Sequence, residues 1–107
     1  DWVGTLERVA AIGYRELEFP GHLGPSAVEC RRVLDRLNLV ALAGGDVYKR
    51  LDERLDDVIA DAQTLGKRYV CCYWPWLDGG TNKTPDDWRR LGDTMNALGR
   101  RVAKGGL

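Results

Sequence analysis

Acidic, imidazole and indole side chains follow the predicted strands of this chain, and each type can bind or transform a small polar molecule. Glu18 lies near the end of a short alternating run and His22 follows it, Asp46 follows a continuous apolar run, and Trp74 and Trp76 follow a third run. A carboxylate can accept a hydrogen bond or take up a proton, and an imidazole changes charge near neutral pH. Indole rings stack on the apolar faces of sugar rings and donate from N–H. The residues predicted to bind a small sugar or polyol are therefore Glu18, His22, Asp46, Trp74 and Trp76.

Each of these residues also has an interpretation without a ligand, which the sequence leaves open. Glu18 and His22 fit solvated side chains on a surface loop, and Asp46 fits a cap of the helix that follows it. The two tryptophans fit an apolar cover over the end of the sheet. The glycines before Asp46 form neither GxGxxG nor a Walker A motif, and a plain turn explains them more simply. The sequence contains no serine elbow, and neither Cys71 nor Cys72 has a histidine nearby in sequence that would make it a catalytic nucleophile.

Three predicted strands decide where the candidate residues meet. They cover residues 15–19, 39–43 and 69–73, where short alternating or continuously apolar runs end at turn residues. Residues 44–46 are expected to stop the second strand, whose apolar run is typical of a strand covered on both faces. Strands that alternate with helices indicate parallel β/α units and exclude a helical bundle or an antiparallel sandwich. Ligands bind such sheets at the carboxyl ends of the strands, which is where the candidate residues lie.

Four predicted helices alternate with these strands, one before the first strand, two between strands and one after the third. Asp1, Ser26 and Thr84 are suited to begin helices, and Gly13 and Gly66 are suited to end them. Apolar residues recur at helical spacing within each segment, so one face of each helix is expected to join the core. The stripes expected in the core include Leu51, Leu55, Val58, Ile59, Ala62 and Leu65 of the third helix, and Trp88, Leu91, Met95, Leu98 and Val102 of the fourth.

Composition limits the classes of protein to which the chain can belong. Hydrophobic residues make up 44% of its 107 residues and charged residues 30%, which is typical of a folded globular domain. Sixteen basic residues balance sixteen acidic ones, and a net charge of zero argues against nucleic-acid binding. No apolar run approaches the roughly 20 residues needed to cross a bilayer, so no membrane partner is expected. The three cysteines, two of them adjacent, make no disulfide framework and indicate a reduced, cytoplasmic compartment.

The order of elements also indicates an incomplete closed sheet. It opens on a helix and ends where another strand is expected to begin, while three parallel strands alone leave sheet edges open. A closed (β/α)8 barrel takes about 250 residues, so this chain is expected to be somewhat less than half of one. Open edges of this kind could also pair two copies of the chain in a homo-oligomer.

Four phrases of the sequence carry a resemblance to a known family. They are TLERVAAIGYRELEF at 5–19, VLDRLNL at 33–39, LDDVIADAQTLGKRYV at 55–70 and TPDDWRRL at 84–91. In order and spacing the chain resembles the sugar phosphate isomerase/epimerase family, the xylose isomerase-like TIM barrels. The resemblance implies that residues 1–107 form one partial (β/α)8 barrel domain, with the second to fourth strands and without the first strand and the C-terminal half.

The resemblance further implies a function and a cofactor for the complete barrel. Family members move a proton next to a sugar carbonyl with the help of a divalent metal, Mn²⁺ or Mg²⁺, held by side chains of later strands. The resemblance therefore gives this chain no metal ligand and no catalytic residue, and the chain alone is expected to be inactive. Glu18 and Trp74 match the wall of the family's pocket. Residues 41–46 differ from the Ser-Ala-His-like phrase that many relatives have there.

Two functions of different classes stay open at this point. One is a metal-dependent isomerase or epimerase of sugar phosphates, of which this chain is the N-terminal portion. The other is a non-catalytic half barrel that binds a carbohydrate or a partner, or associates with itself. The second is motivated by the two tryptophans and by the lack of metal ligands in the sequence.

Overall fold

Helices and strands alternate in the structure as the sequence predicts. The computed structural model describes residues 1–75 and 84–107. The helices of this part are α1 (Trp2–Ile12), α2 (Ala27–Arg36), α3 (Tyr48–Leu65) and α4 (Pro85–Lys104). Its strands are β1 (Glu16–Glu18), β2 (Val40–Asp46) and β3 (Tyr69–Cys72). None of the helices described has the length and apolar character that crossing a membrane requires.

Local hydrogen bonds define the helix ends at the predicted residues. The Asp1 carboxylate accepts from an N–H in the first turn of α1 at 2.9 Å, and the Ser26 hydroxyl does the same for α2 at 3.2 Å. Thr84 and Asp87 form a capping box at the start of α4, in which each side chain accepts from the other's backbone N–H. Gly13 ends α1 in the left-handed region, with a φ of 113°. All these partners are close in sequence, which is why the pattern predicts them.

The strands form one parallel sheet in the order β1-β2-β3, with β2 in the centre. Leu17 pairs with Ala41 and Glu18 with Ala43, so β2 carries one extra residue, a β-bulge, at that point. Helices α2 and α3 each connect neighbouring strands, and they pack against each other and against β2. The predicted parallel α/β class is confirmed.

Strand β2 continues through Gly44 and Gly45 to Asp46, so the prediction that these residues end the strand in a turn is wrong. A Cβ on Gly44 would collide with the Phe19 carbonyl, and a Cβ on Gly45 would collide with the Cys71 carbonyl of β3. Both neighbouring segments approach β2 so closely that only residues without a side chain fit there. The glycine pair therefore marks tight strand packing rather than a chain break.

Two apolar clusters hold the helices against the sheet. One joins α1 and α2 to β1 and β2, and Leu34 is almost fully buried within it. The other joins α3 and α4 to β3 around Leu55. Val40 and Tyr69, whose strand neighbours belong to these clusters, point away from them and are 49% and 60% exposed. The predicted cover on both faces of the second strand is therefore wrong at Val40, the first residue of β2, whereas residues 41–45 are buried or half-buried.

Helix α4 buries only part of its predicted stripe. Leu91 and Leu98 are buried, but Trp88 is 50% exposed, so its predicted place in the core is wrong. The residues of α4 that join the cluster around Leu55 begin at Met95. The first turn of α4 therefore takes no part in that cluster.

Replacing Gly45 with alanine is expected to lower the free energy of unfolding by about 3 kcal/mol, because the new methyl group meets a backbone carbonyl. Gly92→Ala is the control. A Cβ at this exposed position of α4 meets nothing within 4 Å, and alanine is favoured over glycine in a helix by about 1 kcal/mol. Urea unfolding should show changes of opposite sign. Wild-type stability in Gly45→Ala would contradict the close approach of β3 to β2.

Candidate functional site

A carboxylate and a phenol meet at the carboxyl end of the sheet. Glu18 is the last residue of β1, and Tyr73 directly follows β3, where its N–H donates to the Asp46 carbonyl at 3.1 Å. The Tyr73 phenol lies near enough to the Glu18 carboxylate for that carboxylate to raise the pKa of Tyr73. Strand β2 runs between β1 and β3, and its Gly45 has no side chain that would separate the two groups.

The surroundings of Tyr73 keep its phenol protonated. Burial is the largest cause that raises the pKa of Tyr73, and the hydrogen bond to Glu18 and the charge of that carboxylate raise it further. At neutral pH the pair therefore offers a donor, the phenol O–H, beside an acceptor, the carboxylate. This combination suits a ligand hydroxyl, which can accept from one group and donate to the other.

His22 lies in the loop after β1, on the wall of a cleft of about 470 Å³. Its Nε2 is 4.0 Å from Oδ2 of Asp61 in α3, and its side chain is 32% exposed. Its Nδ1 is buried and has no hydrogen-bond partner among the residues that the structure describes. Asp46, Arg50 and Arg54 line the same cleft, so the cleft presents both donors and acceptors.

Asp46 ends β2, and contacts at the start of α3 occupy its carboxylate. One oxygen accepts from the Val47 N–H at 2.8 Å, and the other lies 3.2 Å from Nε of Arg50. The N-cap residue of α3 is Val47, and no side chain of the described residues caps this helix, so the interpretation of Asp46 as a helix cap is wrong. A ligand in the cleft would therefore meet an Asp46–Arg50 pair rather than a free carboxylate.

Trp74 is the indole that the structure describes at this edge. It is 61% exposed and follows Tyr73 directly in the chain. Its carbonyl accepts from the Tyr48 N–H at 3.3 Å, which connects the segment after β3 to the first residue of α3. Trp76 falls within residues 76–83, outside the described residues, and its predicted role stays a prediction.

The structure divides the predicted site residues into two groups. His22 and Asp46 line the cleft beside α3, and Glu18 and Trp74 do not. Glu18 instead contacts Tyr73, whose neighbour in the chain is Trp74. The shared edge of the sheet was predictable, because parallel strands end together. The division was not predictable, because it depends on where each side chain points after the strand ends.

Sequence reasoning missed Lys67, which lies just before β3 and is only 5% exposed. Its ammonium donates to the Phe19 and Gly21 carbonyls at 2.9 and 2.8 Å and lies 4.5 Å from the centre of the Phe19 ring. Burial lowers the pKa of Lys67, and the nearby groups of Cys30 and Asp61 oppose that change. The Gly-Lys-Arg phrase after a helix carries no signal of burial, because such a lysine is normally solvated.

The described side chains are not suited to hold a metal ion. Residues 1–75 and 84–107 bring no three His, Cys, Asp or Glu side chains together as ligands. The carboxylates of Asp46 and Asp57 are each paired with an arginine of α3. The Mn²⁺ or Mg²⁺ that the family resemblance implies for the complete barrel does not fit these residues, so no part of their chemistry is assigned to it.

Removing the charge of Glu18 is expected to lower the pKa of Tyr73. In Glu18→Gln the phenolate no longer forms beside a carboxylate, so Tyr73 should ionise at lower pH than in the wild type. The absorbance of tyrosinate, followed from about pH 8 to 12, measures the shift. Glu16→Gln, which removes an exposed carboxylate from the same strand, is the control and should change nothing. Identical titrations of all three proteins would contradict the contact.

The same pKa shift has a consequence for stability at high pH. Folding raises the pKa of Tyr73, so the protonated phenol stabilises the folded state. This stabilisation is complete below the pKa of an unfolded tyrosine, about 10. That contribution is lost as the pH rises from there through the pKa of the folded state. Tyr73→Phe should therefore lose less stability than the wild type in this range, as measured by urea unfolding at each pH.

No family model and no curated protein matches this chain. The family suggested by the four sequence phrases therefore stays a hypothesis. The observations from which a function can be inferred are the open parallel sheet, the Glu18–Tyr73 pair and the cleft beside α3.

Proposed function

We propose that this chain is part of the wall of a larger (β/α) barrel whose carboxyl edge binds a small sugar or polyol. The complete barrel is proposed to be a sugar phosphate isomerase/epimerase-like enzyme, in which β1, β2 and β3 are the second to fourth strands. Its reaction would be metal-assisted transfer of a proton next to a sugar carbonyl. The observation that carries the proposal is that Glu18, the last residue of β1, and Tyr73, the residue after β3, lie together at the carboxyl edge of the parallel sheet, where α/β folds bind ligands.

The uncovered side of the sheet supports a place in a larger barrel. Parallel sheets are normally covered on both faces. Here Val40 and Tyr69 are 49% and 60% exposed on the side away from the helix-packed clusters. In a closed barrel that side is the interior, where side chains from the other strands fill the space. Closure would therefore bury apolar side chains that the described residues leave exposed.

The Glu18–Tyr73 pair has the chemistry to hold a sugar hydroxyl. Glu18 can accept from a ligand O–H while Tyr73 donates to a ligand oxygen, so one hydroxyl group can replace their direct contact. The raised pKa of Tyr73 keeps its phenol a donor at neutral pH. The exposed indole of Trp74, the next residue, offers an apolar surface to a sugar ring.

Within the proposed enzyme, residues of this chain bind and orient the substrate. Glu18 and Tyr73 would hold hydroxyl groups in a fixed position relative to the reacting carbonyl, which lowers the entropic part of the barrier. The described residues contain no metal ligand set. The proposal therefore assigns both the metal and the base that takes up the proton to other strands of the barrel.

The proposal predicts that sugars or polyols bind through Glu18. Tryptophan fluorescence, titrated with a panel of aldoses, ketoses, their phosphates and polyols, tests this because Trp74 follows the pair. For a ligand that binds, Glu18→Gln should weaken the affinity about tenfold or more, since a hydrogen bond to a charged group is lost. Glu16→Gln, on the same strand, should leave the affinity unchanged.

Activity assays separate the enzyme from a binding protein. The same panel is incubated with the complete barrel of which this chain is proposed to be a part, in the presence of added Mn²⁺ or Mg²⁺, and the products are resolved chromatographically. Interconversion of aldose, ketose or epimer supports the enzyme, whereas binding without turnover leaves only a binding function. Absence of binding across the panel, or equal affinities of Glu18→Gln and Glu16→Gln, would overturn the proposed site.

A second candidate function is a self-associating or partner-binding module, and the exposed side of the sheet favours it. Val40 and Tyr69 could be covered by another copy of the chain instead of by further strands. Light scattering should then give a mass that rises with concentration in the wild type and less in Tyr69→Glu. Tyr14→Glu is the control, because Tyr14 is equally exposed, at 60%, but precedes the sheet. A mass of 12.0 kDa, that of one chain, at every concentration would exclude self-association.

A further inference from the structure

A slot beside β2 holds the ammonium group of Lys67. The ammonium lies so close to the position that a Cβ on Gly44 would occupy that a larger residue there would collide with it. It donates to the Phe19 and Gly21 carbonyls at 2.9 and 2.8 Å. The face of the Phe19 ring lies 4.5 Å away and attracts the positive charge as well. The glycine, the two carbonyls and the ring together form a site shaped for a cation.

The loop that Lys67 contacts joins the two groups of candidate residues. Phe19 directly follows Glu18, and Gly21 directly precedes His22. Donation to both carbonyls therefore holds the stretch of backbone from which the Glu18 and His22 side chains extend. Residues 19–21 lie outside helices and strands, so no regular pattern of backbone hydrogen bonds holds this stretch in place.

We infer that Lys67 is the positioning residue of the carboxyl edge: its ammonium charge holds residues 19–21 so that Glu18 lies near Tyr73 and His22 lines the cleft. The role of Glu18 in this inference rests on the proposed function. The contact itself can be tested without any ligand, since it concerns only the position of the loop.

The charge of Lys67, rather than the volume of its side chain, holds residues 19–21 in place. An apolar group of the same size would leave two carbonyl oxygens facing it without a donor. Asp61 and Glu18 lie near enough to favour the charged form of Lys67, which opposes the cost of burial. A neutral substitute would lose the hydrogen bonds, the attraction to the Phe19 ring and this attraction to the carboxylates together.

Hydrogen exchange at two backbone amides at the same end of the sheet distinguishes local release of the loop from global destabilisation of the fold. The Phe19 N–H donates to the Ala43 carbonyl at 3.4 Å, on the side of β1. The Tyr73 N–H donates to the Asp46 carbonyl at 3.1 Å, on the side of β3. Global destabilisation would accelerate hydrogen exchange at both amides, whereas release of the loop would accelerate exchange at Phe19 alone.

In Lys67→Ala, exchange at Phe19 is expected to rise about tenfold or more relative to exchange at Tyr73. Lys67→Met restores most of the volume without the charge and should show the same rise. Added n-propylammonium contains the atoms that Lys67→Ala removes, so it should restore protection at Phe19, whereas 1-propanol should not. Lys49→Ala is the control and should change neither amide, because the Lys49 side chain is 79% exposed.

Three results would overturn the inference. If the Phe19 amide of Lys67→Met were as protected from exchange as in the wild type, the side-chain volume rather than the charge would hold the loop. Rescue of Lys67→Ala by propanol as strong as that by n-propylammonium would lead to the same conclusion. Equal acceleration at both amides would make Lys67 a general stabilising residue instead. If neither variant folds, the wild type decides: the ¹⁵N spectrum of its ammonium groups should show a slowly exchanging signal from Lys67, unlike that of Lys49. Rapid exchange at Lys67 would exclude the buried contact.

The sugar titration and the hydrogen-exchange measurements test different claims, and either claim can be wrong without the other. Exchange at Phe19 and Tyr73 is measured without a sugar, so a panel without binders would remove the proposed function and leave the positioning result in place. Conversely, unchanged exchange in the Lys67 variants would remove the positioning role and leave the Glu18→Gln titration unaffected.

Discussion

The close approach of β2 to the segments on both sides of it is the constraint on which the rest of the structure depends. At Gly44 the neighbour is the Phe19 carbonyl, and at Gly45 it is the Cys71 carbonyl. A side chain at either position would push the strands apart and break the pairing that continues to the end of β2. Because the pairing continues, β3 and the residue after it follow β2 closely enough for the Tyr73 N–H to reach the Asp46 carbonyl.

A charge, not an apolar side chain, lies in the space beside Gly44. Burying a lysine is costly unless its ammonium is hydrogen-bonded, and here two carbonyls, an aromatic face and nearby carboxylates offset that cost. The arrangement stabilises a loop that contains no helix or strand. Functional side chains commonly extend from loops that a rigid scaffold supports, and the Lys67 contacts provide such support for the loop after β1.

The chemistry of the carboxyl edge follows from which carboxylates are already engaged by positive charge. Asp46 is held by a backbone N–H and by Arg50, so displacing its partners would leave a guanidinium without its counter-charge. Glu18 instead lies near the neutral phenol of Tyr73 and forms no ion pair among the residues that the structure describes, so a ligand hydroxyl can approach it at little electrostatic cost. This difference is the reason why Glu18, rather than the cleft beside α3, carries the proposed binding function.

The sequence by itself determined the order of the elements, the helix starts at Asp1, Ser26 and Thr84, and the parallel class of the sheet. These features depend on hydrogen-bonding groups a few residues apart and on periodicity, both of which are visible in a single chain. It also indicated the edge at which Glu18, His22, Asp46 and Trp74 lie. Only the tertiary structure decided that Lys67 is buried, that Glu18 contacts Tyr73 and that β2 runs through its glycines. Each of these depends on segments that are distant in sequence, as in the contact of Lys67 with Phe19, which spans 48 positions. No local pattern encodes such a contact, because its energy arises only when folding brings both segments together and removes water from between them.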